Sequence, residues 1–303
     1  MYSHYYNFSE NPFNVTSDPK FLFLSSGHRE ALASIVYGIE ERKGLLAIVG
    51  EVGTGKTTIL NAAIESLKDT TKIVCINDTD SSYFEQLEVV AEEFKILSPA
   101  VKVSKPKLVS RLKKFAEFQA RSNENVAIII DEAQNLDFQT LENWRMLSNL
   151  ETGSGKLVQI VFSGQPELEK KLKDHKLRQL DQRISLRRYI QPLNRDETIE
   201  YLKHRLNVVG GDIDVFEEES LRLIWEFSRG VPRRINTLCD NAFLIGYGTY
   251  KEKITPDLIK EANTDISYSP FAENSDQPET CTPENENHIN QADIPDGNGF
   301  KTD

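Results

Sequence analysis

Eight residues constrain this chain more than any others: Gly50-Glu51-Val52-Gly53-Thr54-Gly55-Lys56-Thr57, a complete G-x-x-x-x-G-K-[ST] run. The run follows a short apolar stretch, residues 45–49, bounded by glycine on both sides, and opens a segment whose spacing predicts a helix over Lys56–Leu67. Glycines at these positions let the backbone fold around an anion, so that its N–H groups and the helix N-terminus face phosphate. Lys56 then reaches the β- and γ-phosphates of a nucleotide, and the hydroxyl of Thr57 serves Mg2+. The nucleotide-binding set is Gly50, Glu51, Val52, Gly53, Thr54, Gly55, Lys56 and Thr57 with the adjoining Thr58.

The same alternation of apolar runs and amphipathic segments continues to about residue 190. Helices are predicted at 28–42, 56–67, 83–94, 107–120 and 141–150, and strands at 45–49, 71–76, 126–130, 157–162 and 184–190. Strands separated by helical patterns read as a parallel sheet with helices on both faces, an α/β class. After Pro192 only helical patterns remain, near Ile199 to Leu206, at 216–227, from Pro232 onward and at 256–262. The expected organisation is an aromatic-rich lead-in at 1–26, whose stretch from Glu10 to Leu24 is irregular because of its prolines, then a sheet domain at 27–192, an all-helical lid at 193–264 and a disordered acidic tail at 265–303.

Charge sharpens that division. The net charge is −11, but residues 265–303 hold nine acids against one base, which leaves −3 for residues 1–264. Acidity therefore excludes little about the partners of the folded part. No apolar run approaches the ~18–20 residues of a membrane span, and the first residues have neither a basic n-region nor an apolar core. Cys75, Cys239 and Cys281 are unpaired by spacing, so a cytoplasmic, reducing setting is expected. The five histidines show no metal-ligand spacing.

A second chemical signal is residues 126–132, Val-Ala-Ile-Ile-Ile-Asp-Glu, an apolar strand ending in two carboxylates. In a parallel sheet the ligand lies beyond the carboxyl ends of the strands, where the glycine loop also sits. Asp131 is the expected Mg2+ partner with Thr57, and Glu132 the base that orients the attacking water. The next strand ends in Ser163-Gly164-Gln165, so either Ser163 or Gln165 can bond that water or the γ-phosphate. Pro232-Arg233-Arg234 places two cations in the first turn of a helix, against its dipole. A bound phosphate would remove that conflict, with Arg233 the first choice and Arg234 the alternative. Arg183 lies just before the last strand, near Arg178, Arg187 and Arg188; a phosphoryl-transfer site profits from an arginine supplied by a neighbour, but position alone does not single out one of the four. The run Lys102, Lys105, Lys107, Arg111, Lys113 and Lys114 has no interleaved aromatic or glycine and reads as a solvated helix face.

Together these segments resemble the AAA+ ATPases, and within them the ExeA-like branch associated with type II, or general, secretion and related envelope assembly. The resemblance spans about residues 1–264. It is carried by Asn11-Pro12-Phe13, Asp18-Pro19-Lys20-Phe21-Leu22-Phe23-Leu24-Ser25, His28-Arg29-Glu30-Ala31-Leu32, the glycine loop, Asp131-Glu132-Ala133-Gln134, Leu147-Ser148-Asn149-Leu150-Glu151-Thr152, Gly164-Gln165-Pro166-Glu167-Leu168 and Gln182-Arg183-Ile184. It implies a five-stranded sheet with an added strand between the two nucleotide motifs, followed by a helical lid. It implies further that Gln165, with Ser163, is the sensor-1 position, Arg183 an arginine finger acting on a neighbouring subunit, Arg233 the sensor-2 arginine, and His28 to Leu32 part of the wall near adenine.

Mg2+-dependent ATP hydrolysis in a homo-oligomer, coupled to assembly or remodelling of a protein partner such as an inner-membrane assembly component, is the function so implied. Longer members of the branch continue into a membrane span and a peptidoglycan-binding domain, whereas this sequence runs into the acidic segment, so an envelope role would need a separate membrane partner. The alternative is a DNA-associated regulator similar to the transposition ATPases. A nucleotide-bound switch without turnover fits less well, because Glu132 and Arg183 are both present.

Overall fold

The computed structural model describes residues 2–14, 18–98, 103–153 and 155–267. Its strands are β1 (Leu45–Gly50), β2 (Thr71–Ile76), β3 (Asn125–Ile130), a two-residue hairpin of β4 (Glu151–Thr152) and β5 (Gly155–Lys156), β6 (Gln159–Gly164) and β7 (Ile184–Ile190). Five of them form one parallel sheet in the order β2-β3-β6-β1-β7. β1 and β6 are buried along their whole length, as central strands covered on both faces must be. The edge strand β2 instead mixes buried and exposed positions.

The helices are α1 (Tyr2–Tyr5), α2 (Ser26–Glu40), α3 (Lys56–Leu67), α4 (Tyr83–Glu93), α5 (Lys105–Arg121), α6 (Phe138–Leu147), α7 (Pro166–Leu172), α8 (Arg178–Asp181), α9 (Arg195–Val208), α10 (Glu218–Ser228), α11 (Pro232–Gly248) and α12 (Pro256–Ser267). The two-residue period of a strand divides the core between the faces of the sheet. Leu45, Ala47, Val126, Ile128 and Ile130 pack with residues of α4, α5 and α6, while Leu46, Ile48, Ala127, Ile129 and Val161 pack with those of α2 and α3. Among the described residues, no helix is long and apolar enough to cross a membrane.

A third core lies within α9 to α12, and the lead-in belongs to it. Tyr2, Phe8, Phe13 and Phe21 are buried in that core. Phe243 of α11 is its hub, with the rings of Tyr2, Tyr6, Phe8, Phe13 and Phe216 between 4.9 and 5.8 Å from it. Arg205 of α9 ties the lead-in down from the other side. The residue is 5% exposed, and its guanidinium donates to the carbonyls of Pro12 and Asn14 at 2.5 and 3.0 Å and lies 4.5 Å from the Phe21 ring centre.

Some element bounds differ from the sequence reading. β6 begins two residues later than expected, because Leu157 N–H is taken by the carbonyl of Leu150 where the hairpin closes. It also runs on through Ser163 and Gly164, which stay in register with Ile48 and Val49. α6 starts and ends three residues early, since Asp137 caps it by accepting from Thr140 N–H at 2.6 Å. α12 continues to Ser267, three residues past the expected end of the lid. The acidic tail expected beyond it lies outside the described residues from position 268 onward.

Candidate functional site

The loop between β1 and α3 is held by backbone that only glycine adopts without strain. Gly53 and Gly55 have φ of +78° and +97°. Both also face close neighbours: a Cβ on Gly53 would stand 2.6 Å from Cβ of Arg233, and one on Gly55 3.1 Å from Nε2 of His28. The loop is thus packed between α2 on one side and the lid helix α11 on the other.

Lys56, 5% exposed, turns its ammonium into the loop, donating to the carbonyls of Gly50 at 2.8 Å and Glu51 at 3.0 Å. Burial pushes its pKa down, and the carboxylates of Glu132 and Asp131 pull it back up. Thr57, one residue on, donates its hydroxyl to Oδ2 of Asp131 at 2.8 Å. Oδ1 of Asp131 accepts from Ser163 Oγ at 2.7 Å and from the N–H of Glu132 at 3.0 Å. Asp131 stands where it does because its own N–H extends the ladder, bonding Ile76 O at 3.0 Å. Glu132 then leaves the strand with φ of +51°. Its Oε2 accepts from Gln134 Nε2 at 2.6 Å and from Gln165 Nε2 at 3.2 Å.

These residues fit a hard divalent cation. The donors are oxygen only, a hydroxyl and a carboxylate already in contact, and Ser163 and the Glu132 N–H orient the carboxylate from behind. One or two such protein ligands, completed by water and phosphate oxygens, is how Mg2+ is usually held in nucleotide sites.

The loop opens into a cleft of about 1220 Å³ lined by Lys56, Thr57, Thr58 and Glu132 on the sheet side and by Leu193, Tyr201, Arg233 and Asn236 on the lid side. Arg233 lines it and Arg234 does not. The first turn of α11 is also resolved differently from the phosphate-only reading, because the N–H of Arg233 donates to the carbonyl of Gly53 at 3.3 Å. The helix start is therefore jointed directly to the glycine loop. His28, 4% exposed, is held between Ser25 Oγ at 2.9 Å and the carbonyl of Thr54 at 2.8 Å, and burial keeps its pKa low. Leu32 lines the same cleft.

Arg183 is not brought to this cleft. It precedes β7, whose first residue pairs with Leu45 and whose last pairs with Gly50, so the length of a strand, roughly 20 Å, separates it from the loop. Its side chain donates to Oδ1 of Asn149. Arg187 and Arg188 are engaged elsewhere, with Asp181 and Glu30.

Two features were not legible from spacing. Phe21, Leu22, Phe23 and Leu24 of the lead-in line the cleft, although the sequence shows only an irregular aromatic segment; the capping Ser25 that follows them is the one local hint. The second is Phe118, which lies beyond the basic run on the same helix. It is 64% exposed on α5, and the i, i+4, i+7, i+11, i+14 spacing puts it on one face with Lys107, Arg111, Lys114 and Arg121. Lys113 pairs with Glu117 and Lys105 bonds Asn143, while Lys102 lies outside the described residues.

A family model described as an AAA domain matches residues 39–172. Among curated proteins, general secretion pathway protein A of Aeromonas hydrophila is 35% identical over 268 residues, which cover 88% of this chain. They cover 49% of that relative, so the chain spans about half its length. Among solved structures, the ORC2 protein of Aeropyrum pernix in its ADPNP-ADP complexes superposes with a TM-score of 0.62 at 18% identity, over 86% of this chain and 72% of that one. Cdc6p of Pyrobaculum aerophilum gives 0.62 at 19% identity, over 83% and 71%. Likeness at those identities is one of fold, a P-loop sheet followed by helices.

Proposed function

The chain belongs to the AAA+ family and is a relative of general secretion pathway protein A, and from this and the site geometry we propose that it is a Mg2+-dependent ATPase. The carrying observation is that Thr57, which lines the cleft with Lys56 and Glu132, donates to Asp131 behind it. Lys56 would bind the β- and γ-phosphates, and residues 50–58 would cradle them with backbone N–H groups. Thr57 and Asp131 would hold Mg2+, which supplies charge neutralisation across the phosphate oxygens. Glu132 orients the attacking water, Gln165 senses the γ-phosphate through its amide, and Arg233 meets the nucleotide from the lid.

Arg183 completes the site of a neighbouring subunit, which makes the working form a homo-oligomer. Its distance from its own loop supports that reading. Nucleotide state then changes the lid angle through the joint of Gly53 and Arg233, and with it the fit to a protein partner. By analogy with the relative's name, that partner belongs to a secretion pathway; a partner at the inner membrane, met by this chain from the cytoplasmic side, is part of the same proposal.

The test is phosphate release from ATP. Turnover that requires Mg2+ and disappears in Lys56→Ala supports the proposal; no release from the wild-type protein at any concentration contradicts it.

A second reading, association with DNA, rests on the α5 face. Lys107, Arg111, Lys114 and Arg121 form no ion pair among the described residues and flank the exposed Phe118. Binding to duplex DNA that weakens steeply with salt and raises turnover would favour it; absence of binding at low salt would remove it.

A further inference from the structure

We propose that Gln134 is a positioning residue: its side-chain amide clamps the Glu132 carboxylate and ties it to the strand end that carries Gln165. The proposal rests on Glu132 acting as the base. The geometry is specific to an amide. Nε2 of Gln134 donates to Oε2 of Glu132 at 2.6 Å, while Oε1 accepts from the backbone N–H of Gln165 at 3.1 Å. A carboxylate takes only donors and an N–H only acceptors, so the amide fits in one orientation, and neither a carboxylate nor an ammonium could replace it.

The surroundings are shaped for this bridge. Gly164 has no Cβ, and one there would stand 2.7 Å from Oε1 of Gln134. Lys171 of α7 fixes the backbone of the turn, donating to the carbonyls of Gln134 at 2.5 Å and Leu136 at 2.7 Å. Glu132 itself needs such support, because φ of +51° is an uncommon backbone state for a residue with a side chain. Gln165 Nε2 reaches the same Oε2 at 3.2 Å. Two amides therefore hold one carboxylate oxygen. Among the described residues no protein group hydrogen-bonds the other, which stays available to water.

The experiment compares Gln134→Ala and the isosteric Gln134→Glu with wild type for kcat, KM, ATP affinity and melting temperature, each alone and in a Glu132→Gln background. Loss of the clamp should lower kcat by about 100-fold, the scale of a misplacement near 1 Å, with ATP affinity and KM within about twofold. In the Glu132→Gln background the same changes should leave the residual turnover unaltered, because Gln134 acts through Glu132. Wild-type kcat in both single variants, or an equal further loss in the Glu132→Gln background, would overturn the proposal. Full turnover in Glu132→Gln alone would instead remove the base assignment on which it rests.

Discussion

The hydroxyl of Thr57 and the carboxylate of Asp131 meet at 2.8 Å, joining the first turn of α3 to the end of β3. Seventy-four residues of chain separate them, and the parallel order of β1, β6 and β3 closes that distance. The other oxygen of Asp131 is fixed by Ser163 at 2.7 Å. Ser163→Ala should therefore weaken Mg2+ affinity by about 10–100-fold, the usual cost of losing a group behind a metal ligand. Titrating turnover with Mg2+ checks this, and an unchanged half-saturation point would show that Ser163 does not orient Asp131.

Arg183 predicts complementation. If it serves a neighbour, Arg183→Ala and Glu132→Gln each lose activity, but a mixture holds interfaces that combine an intact Glu132 with an intact Arg183. Mixing the two inactive proteins should restore a fraction of wild-type phosphate release. A mixture as inactive as its components would rule out the shared site.

Phe243 anchors both the lid and the lead-in. Phe243→Ala should destabilise the protein by about 3–5 kcal/mol, as for other fully buried phenylalanines. Because Tyr2, Tyr6, Phe8 and Phe13 all pack on that ring, limited proteolysis should cut within residues 1–23 far earlier than in wild type. Unchanged cleavage with a lowered melting temperature would separate the lead-in from the lid core.

His28 gives a pH dependence with a definite sign. Burial holds its pKa below the ordinary value near 6.5, against weaker upward pulls from the Thr54 carbonyl and Glu197. Between the ordinary pKa and the folded one, the unfolded chain binds a proton that the fold rejects. Stability from this group is therefore complete above about pH 6.5 and lost as pH falls through the folded pKa. His204, lowered by burial and by Arg205, adds in the same direction. His28→Gln should flatten the fall in melting temperature between about pH 7 and pH 5; an identical slope would assign the dependence to other groups.

The centre of the sheet was legible because β1, β3 and β6 are short apolar runs ending at glycine or acid, and the helices between the strands are amphipathic. That residues 50–57, Asp131 and Glu132 meet at the carboxyl ends of β1 and β3 was legible for a chemical reason, since a glycine loop and an acid pair that follow apolar strands of a parallel sheet come out on the same edge. The lead-in was not, because its irregular backbone carries no period and its aromatics are placed by Phe243 and Arg205, about 190–240 residues further along. Gln134 was visible only as part of a family string. Its role depends on Gly164 and Gln165, which the sheet order brings alongside.

The most direct measurement is ATP binding and phosphate release in Glu132→Gln against wild type, both saturated with nucleotide and Mg2+. The account predicts binding within about twofold of wild type and turnover lower by about 100-fold or more. Turnover equal to wild type with binding intact would contradict it, because the carboxylate at the end of β3 would then play no part in activating water.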